Sequence, residues 1–289
     1  MKMLTILSGK GGVGKSSITA SLAVLLAKKR KIVAADCDVD ASNLALVLGV
    51  KKLEREREIS TNYKAFIDEK KCKSCRKCVN VCTFSAISWD SRADNPVINK
   101  FLCEGCGACK LVCPEGAIYM KKVKNGIIGE AMTKYGFPIV SGQLKMGESG
   151  SGKVVDLVKQ EAGKKKADLM VVDSAAGIGC PVIASVSGSD YVIGVTEPSP
   201  AGLSDLKRAL QVVRHFGVEH GIVINKWDLN KGFSKEIESF AEAEGIPILG
   251  KLPYDKRFVE ALVNLKPAVV YDKELEPLFS GILDKLPII

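Results

Sequence analysis

A glycine-rich octet, Gly9-Lys10-Gly11-Gly12-Val13-Gly14-Lys15-Ser16, stands between a short apolar run and a helical stretch, and few architectures accommodate that order. It matches G-x-x-x-x-G-K-[ST] in the context the pattern needs, after a buried strand and opening a helix. Glycines there let successive backbone N–H groups curl around phosphates, and the helix N-terminus adds the positive end of its dipole. Lys15 reaches the β- and γ-phosphates and Ser16 ligates magnesium, so Gly11, Gly12, Val13, Gly14, Lys15, Ser16 and Ser17 form the expected nucleotide-binding loop. A look-alike, Gly147-Glu148-Ser149-Gly150-Ser151-Gly152-Lys153, ends in Val154 and so lacks the magnesium hydroxyl. With no strand before it, it reads as the start of a helix capped by Ser151.

Beyond the loop, short continuous apolar runs at 31–35, 169–172, 191–195 and 221–224 fit strands buried on both faces. Helical stretches over 17–29, 201–216 and 234–243 fall between them, which makes an α/β fold with a mainly parallel sheet and right-handed crossovers the economical architecture. At 289 residues, with 46% hydrophobic and 26% charged residues, the chain has room for one large domain or two ordinary ones. No apolar run approaches the ~18 residues of a membrane span, and the apolar start leads into the glycine loop without a small-residue cleavage site. A soluble, cytoplasmic protein is expected. The net charge is +9, with a lysine excess between Lys121 and Lys166, and no nucleic-acid-binding motif appears, so solvated helix faces are favoured over nucleic-acid binding.

Eight of the ten cysteines crowd between Cys72 and Cys113, and clustering of this kind in an intracellular chain points to metal. Cys72, Cys75, Cys78 and Cys82 recur as Cys103, Cys106, Cys109 and Cys113 at a constant offset of 31 residues (103 − 72). The echo extends outward: Phe66-Ile67 returns as Val97-Ile98, and Ala86-Ile87 as Ala117-Ile118. Each half therefore reads as strand, cysteine loop, turn of helix, strand. Too small to bury much core, such a module would depend mainly on bound metal for stability. The expected division is 1–62 and 121–289 for the nucleotide domain with 63–120 inserted, hinged at the charged stretch 51–58 and the Gly/Lys-rich stretch 121–129. Two C-x2-C-x2-C-x3-C runs favour iron–sulfur clusters over four-cysteine zinc sites, whose ligands usually come as separated C-x2-C pairs.

With its extra lysine, the loop Lys10-Gly11-Gly12-Val13-Gly14-Lys15-Ser16 resembles the deviant Walker A loop of the MinD/ParA/Mrp P-loop ATPases. That resemblance implies ATP-dependent homodimerisation in which Lys10 crosses the interface to the partner's nucleotide. It also implies ATP and Mg2+ as cofactors. Asp36-Cys37-Asp38-Val39-Asp40 is similar to the family's first switch, and Asp38 is assigned to orient the attacking water and to sit in the magnesium shell. Asp173, closing the run 169–172, resembles a Walker B aspartate. Gly177 would then offer its N–H to the γ-phosphate, although Asp173-Ser174-Ala175-Ala176-Gly177 lacks both prolines of the family's Asp-x-Pro-Pro-Gly. Asn225-Lys226-Trp227-Asp228 matches the N-K-x-D pattern of GTPases, but in MinD-like proteins an asparagine here binds adenine, and Pro253 resembles the loop covering the base. ATP is favoured, with a GTPase as an alternative.

The cysteine module resembles a bacterial two-cluster ferredoxin, an α+β domain in which the fourth cysteine of each run ligates the other cluster. Carried over, Cys72, Cys75, Cys78 and Cys113 hold one [4Fe–4S] cluster, and Cys82, Cys103, Cys106 and Cys109 the second; Thr83 stands where the family has proline after Cys82. Cys37 and Cys180 read as buried structural thiols, with Cys180 as a transient metal ligand the minority reading. His215 and His220 lack catalytic partners, and the tail 274–286 is amphipathic but acidic, so it docks on the main domain and leaves no stable membrane insertion. Taken together, the resemblances imply an ATP-driven dimeric switch gating electron transfer or iron–sulfur cluster delivery to a redox or metallocofactor-assembly protein. The competing reading is a positioning or scaffold ATPase with structural clusters.

Overall fold

The computed structural model describes residues 1–288. Its strands are β1 (Lys2–Ser8), β2 (Ile32–Cys37), β3 (Glu54–Ile59), β4 (Asn62–Ile67), β5 (Ile87–Asp90), β6 (Asn95–Ile98), β7 (Ile118–Val123), β8 (Gly126–Met132), β9 (Pro138–Leu144), β10 (Leu169–Ala176), β11 (Tyr191–Thr196), β12 (Glu219–Asn225) and β13 (Ile248–Leu252). The residues group into two compact units: Met1–Arg57 with Ile128–Gln143 and Ser151–Ile289, and Glu58–Ile127 with Leu144–Gly150.

In the larger unit a sheet of nine strands runs in the order β13-β12-β11-β1-β10-β2-β9-β8-β3. Every pair from β13 to β9 is parallel, as the apolar runs predict. Alternation within the strands supplies both faces: Ile193 and Val223 join the core with Leu4, Ile6, Leu22 and Leu26, while Val192, Ile222 and Ile224 join Leu7, Leu206, Leu210 and Ile237 on the other side. Helices Lys15–Ala27, Pro200–His215 and Lys231–Ala243 cover these faces, each within three residues of its predicted span at either end. Phe279, Ile282 and Leu283 of helix Glu276–Leu283 are buried in the first core, so the tail docks as expected. Among the described residues no helix is long and apolar enough to cross a membrane.

The smaller unit is built from two antiparallel ribbons, β4–β7 and β5–β6. The strand before the first cysteine loop pairs with the strand after the second, Ile67 facing Ile118, while Ile87 faces Ile98. The repeat also governs the backbone. Ser74, Arg76 and Ser85 have φ of 52, 61 and 50°, and their counterparts at the same offset, Gly105, Gly107 and Gly116, have 75, 79 and 58°. The second copy meets three left-handed positions with glycine, whereas the first holds side chains there. Its core is small: Ala65, Ala86, Ile87 and Ile118 pack with Cys78, Cys103 and Cys109. Lysines of the stretch 121–166 meet aromatic rings, with Lys122 Nζ 5.8 Å from the Tyr63 ring, Lys121 Nζ 6.0 Å from that of Phe66 and Lys134 Nζ 5.3 Å from that of Tyr135, so charge and aromatic residues are not separated along it.

Candidate functional site: a phosphate loop and two cysteine cavities

β1 ends at Ser8, the loop turns through Gly12 and Gly14 at φ of 80 and 92°, and helix Lys15–Ala27 begins at Lys15. A Cβ on Gly14 would lie 2.5 Å from Asn225 Nδ2, so only glycine lets these two loops approach. Asn225 Nδ2 donates to Val13 O at 2.8 Å, tying the phosphate loop to the end of β12.

Lys15 is the centre of the site. Its Nζ lies 2.9 Å from Asp173 Oδ1 and 3.5 Å from Asp38 Oδ2. Burial works against its charge, but Asp173 and Asp38 outweigh it and hold its pKa above the ordinary value. Thr19 Oγ1 donates to the same Asp173 oxygen at 2.9 Å, while Asp173 Oδ2 is buried without a partner. Adjacent in the register is Asp36, opposite Asp173 across β2 and β10. Asp36 is fully buried, accepts from Leu44 N and Ser141 Oγ, and is pushed up to about 8 by burial and by the Asp173 charge. Thus the alternating acids separate: Asp36 points into the fold, Asp38 reaches Lys15, and Asp40 is exposed. Thr19 and Asp36 went unassigned in sequence, although Asp36 follows an apolar run as Asp173 does; β10 continues past Asp173 to Ala176. The orphaned buried Asp173 Oδ2, on a carboxylate 2.9 Å from the Lys15 Nζ that itself lies 3.5 Å from Ser16 Oγ, fits the hard, oxygen-liganded Mg2+ that accompanies a nucleotide.

Gly177 has φ of 96° and its N–H donates to Ser8 O at 2.9 Å. Offering that N–H to a phosphate requires releasing Ser8. Lys226 lies at φ 53°, with Nζ 3.4 Å from Gly12 O. Asp228 Oδ1 accepts the Tyr254 N–H at 2.6 Å, next to Pro253. That bond ties the segment after β12 to the loop after β13. Lys10 Nζ pairs with Glu197 Oε1 at 2.6 Å, a partner the sequence reading did not anticipate.

In the smaller unit the eight cysteines line two small cavities. One is lined by Cys72, Cys75, Cys78 and Cys113, the other by Cys82, Cys103, Cys106 and Cys109. Each run of three is completed by the fourth cysteine of the other run. Backbone N–H groups of Ala86 and Ala117 donate to the sulfurs of Cys82 and Cys113, both at 3.3 Å, and Ala65 N lies 3.5 Å from Cys103 Sγ. Cys37 is buried and burial pushes its thiol up, whereas Cys180 is exposed at the start of helix Cys180–Val186, so the buried-thiol reading of Cys180 is corrected.

A family model described as the CobQ/CobB/MinD/ParA nucleotide binding domain matches residues 4–268. The chain belongs to this family. An uncharacterized protein of Methanocaldococcus jannaschii is 43% identical over 227 residues, covering 78% of this chain and 79% of its own. Among solved structures, the septum site-determining protein MinD complexed with Mg-ADP from Pyrococcus horikoshii superposes with a TM-score of 0.60 at 21% identity, over 98% of this chain and 96% of that one. MinD in the MinC:MinD cell division complex of Aquifex aeolicus gives 0.56 at 18% identity, covering 98% and 93%. The fold is accordingly that of an α/β P-loop NTPase, and the family membership makes the chain a MinD/ParA-type ATPase. The GTPase reading of residues 225–228 finds no support among these relatives.

Proposed function

We propose that the chain is a Mg-ATP-hydrolysing switch that dimerises on ATP and couples its nucleotide state to a two-[4Fe–4S] ferredoxin-like module. That coupling would gate electron transfer or iron–sulfur and metallocofactor assembly on an acceptor protein. The observation that carries the reading is the cross-completion of the two four-cysteine cavities, in a chain that also holds a complete phosphate loop. In it, residues 63–120 are the inserted cluster domain, and 1–62 with 121–289 the ATPase. Cys72, Cys75, Cys78 and Cys113 hold one cluster; Cys82, Cys103, Cys106 and Cys109 hold the other. When bound, the clusters supply one-electron chemistry, at potentials that their surroundings set.

The chain's own residues divide the nucleotide work. Gly11 to Ser17 cradle the phosphates, Lys15 neutralises the β- and γ-phosphates, and Ser16, Asp38 and Asp173 hold the magnesium shell. Asp38 also positions the attacking water; Lys10 acts on the nucleotide of a second copy. Gly177 contacts the γ-phosphate after exchanging its bond to Ser8, and Asn225, Lys226 and Pro253 frame adenine. A second reading, a positioning or scaffold ATPase with structural clusters, is favoured by the septum site-determining relatives.

Anaerobic EPR-monitored redox titration of the whole protein, with and without magnesium and a slowly hydrolysed ATP analogue, separates them. A nucleotide-dependent shift of cluster potential or signal is expected. Two intact clusters indifferent to nucleotide would establish the scaffold reading, and stoichiometric zinc without iron would overturn the cluster assignment.

A further inference from the structure

The parallel pairing of β1 with β11 sets Ser8 opposite Val195. Two residues further along each strand end lie Lys10 and Glu197, so the register itself delivers both side chains to the same level above the sheet. On the other side, β12 pairs Ile224 with Thr196, which brings Lys226 up against the same carboxylate. Glu197 consequently bridges two cations: Lys10 at 2.6 Å through Oε1 and Lys226 at 3.2 Å through Oε2. Its backbone is pinned, because Ser199 N donates to Glu197 O at 2.8 Å. Ser199 Oγ then caps helix Pro200–His215 through Gly202 N at 3.0 Å. Hydrogen bonds from the two lysines outweigh partial burial and keep the Glu197 carboxyl below the usual range, so it stays ionised.

We infer that Glu197 is a latch: it holds Lys10 folded onto its own chain, and ATP-dependent pairing of two copies requires each Lys10 to leave it. This rests on the reading of Lys10 as a residue that acts on a second copy. A lysine at 2.6 Å from Glu197 cannot also neutralise a phosphate elsewhere. When Lys10 departs, Lys226 remains as the counter-charge of Glu197, so release does not strand a bare carboxylate. Glu197 is thus a positioning residue, setting how much ATP and protein are needed before dimers form.

The test is the dimer dissociation constant of the intact protein, by sedimentation equilibrium with magnesium and a slowly hydrolysed ATP analogue. Glu197→Gln keeps the shape and removes the charge. It should tighten the dimer about tenfold, equivalent to ~1.4 kcal/mol shared between two latches, which is in the range of part-exposed ion pairs. Glu197→Asp, with a shorter reach, should shift in the same direction by less, and serves if the first variant does not fold. In a Lys10→Ala background, Glu197→Gln should change nothing. A weaker or unchanged dimer in Glu197→Gln, with Lys10→Ala still impaired, would overturn the latch and leave the action of Lys10 on a second copy standing. Lys10→Ala dimerising like the parent would instead overturn that underlying reading, and the latch with it.

Discussion

At the scale of single residues, the site is an arrangement of carboxylates around one buried lysine. Asp173→Ala leaves Lys15 paired with Asp38 and removes a charge that works against Asp36, so it is expected to lower ATP turnover by at least about a hundredfold without a large fall in melting temperature; steady-state hydrolysis and thermal unfolding check both. Arg257 offers a gentler case. It bonds Asp255 and Asp272 and holds both carboxyls below the ordinary range, and Asp255 also caps helix Lys256–Val263. A lowered carboxylate pKa stabilises the fold above the unfolded value of about 3.9 and loses that contribution as pH falls through it. Melting curves between roughly pH 5 and pH 3 should fall more steeply for the parent than for Arg257→Met. Sequence made Lys15 and Asp173 legible, because a loop motif and the end of an apolar run announce them. Glu197 was not legible, because its meaning depends on strand register, which only the folded sheet supplies.

Among the elements, the two halves of the cysteine module carry the clearest test of how a repeat tolerates drift. Ser85 and Gly116 occupy equivalent left-handed positions, and only the second is free of Cβ strain. Ser85→Gly should be neutral or stabilising by up to about 1 kcal/mol, and Gly116→Ser destabilising by a similar amount, read by thermal unfolding of the metal-loaded protein. The cysteine echo was plain from spacing. The strained serine was hidden, although the glycines of the second copy marked where to look. Cross-completion of the cavities predicts a further asymmetry: Cys113→Ala should remove about half of the iron, and the surviving EPR signal should belong to the cluster of the second run. Elsewhere, Asp228 braces Tyr254 and so acts on loop order. Asp228→Ala should raise the KM for ATP severalfold without improving GTP, as competition assays would reveal.

For the whole molecule, alternating apolar runs, a phosphate loop and a duplicated cysteine motif were enough to forecast two kinds of architecture in one chain. What they could not forecast is that Leu144–Gly150, far along the sequence, groups with the smaller unit, since Lys64 and Asn62 reach it through Glu148 and Ser149. Nor could they show how the smaller unit is threaded. Its outer ribbon pairs Asn62 with Val123, so the chain leaves the module beside the point where it arrived, and Asn125 N closes the gap by donating to Ile59 O at 3.1 Å. The excursion from residue 59 to residue 126 thus begins and ends at adjoining points, and a short turn joining those two residues should leave a foldable ATPase only if Leu144–Gly150, which loses Asn62 and Lys64 with the excursion, is shortened as well; circular dichroism of the two deletions compares them.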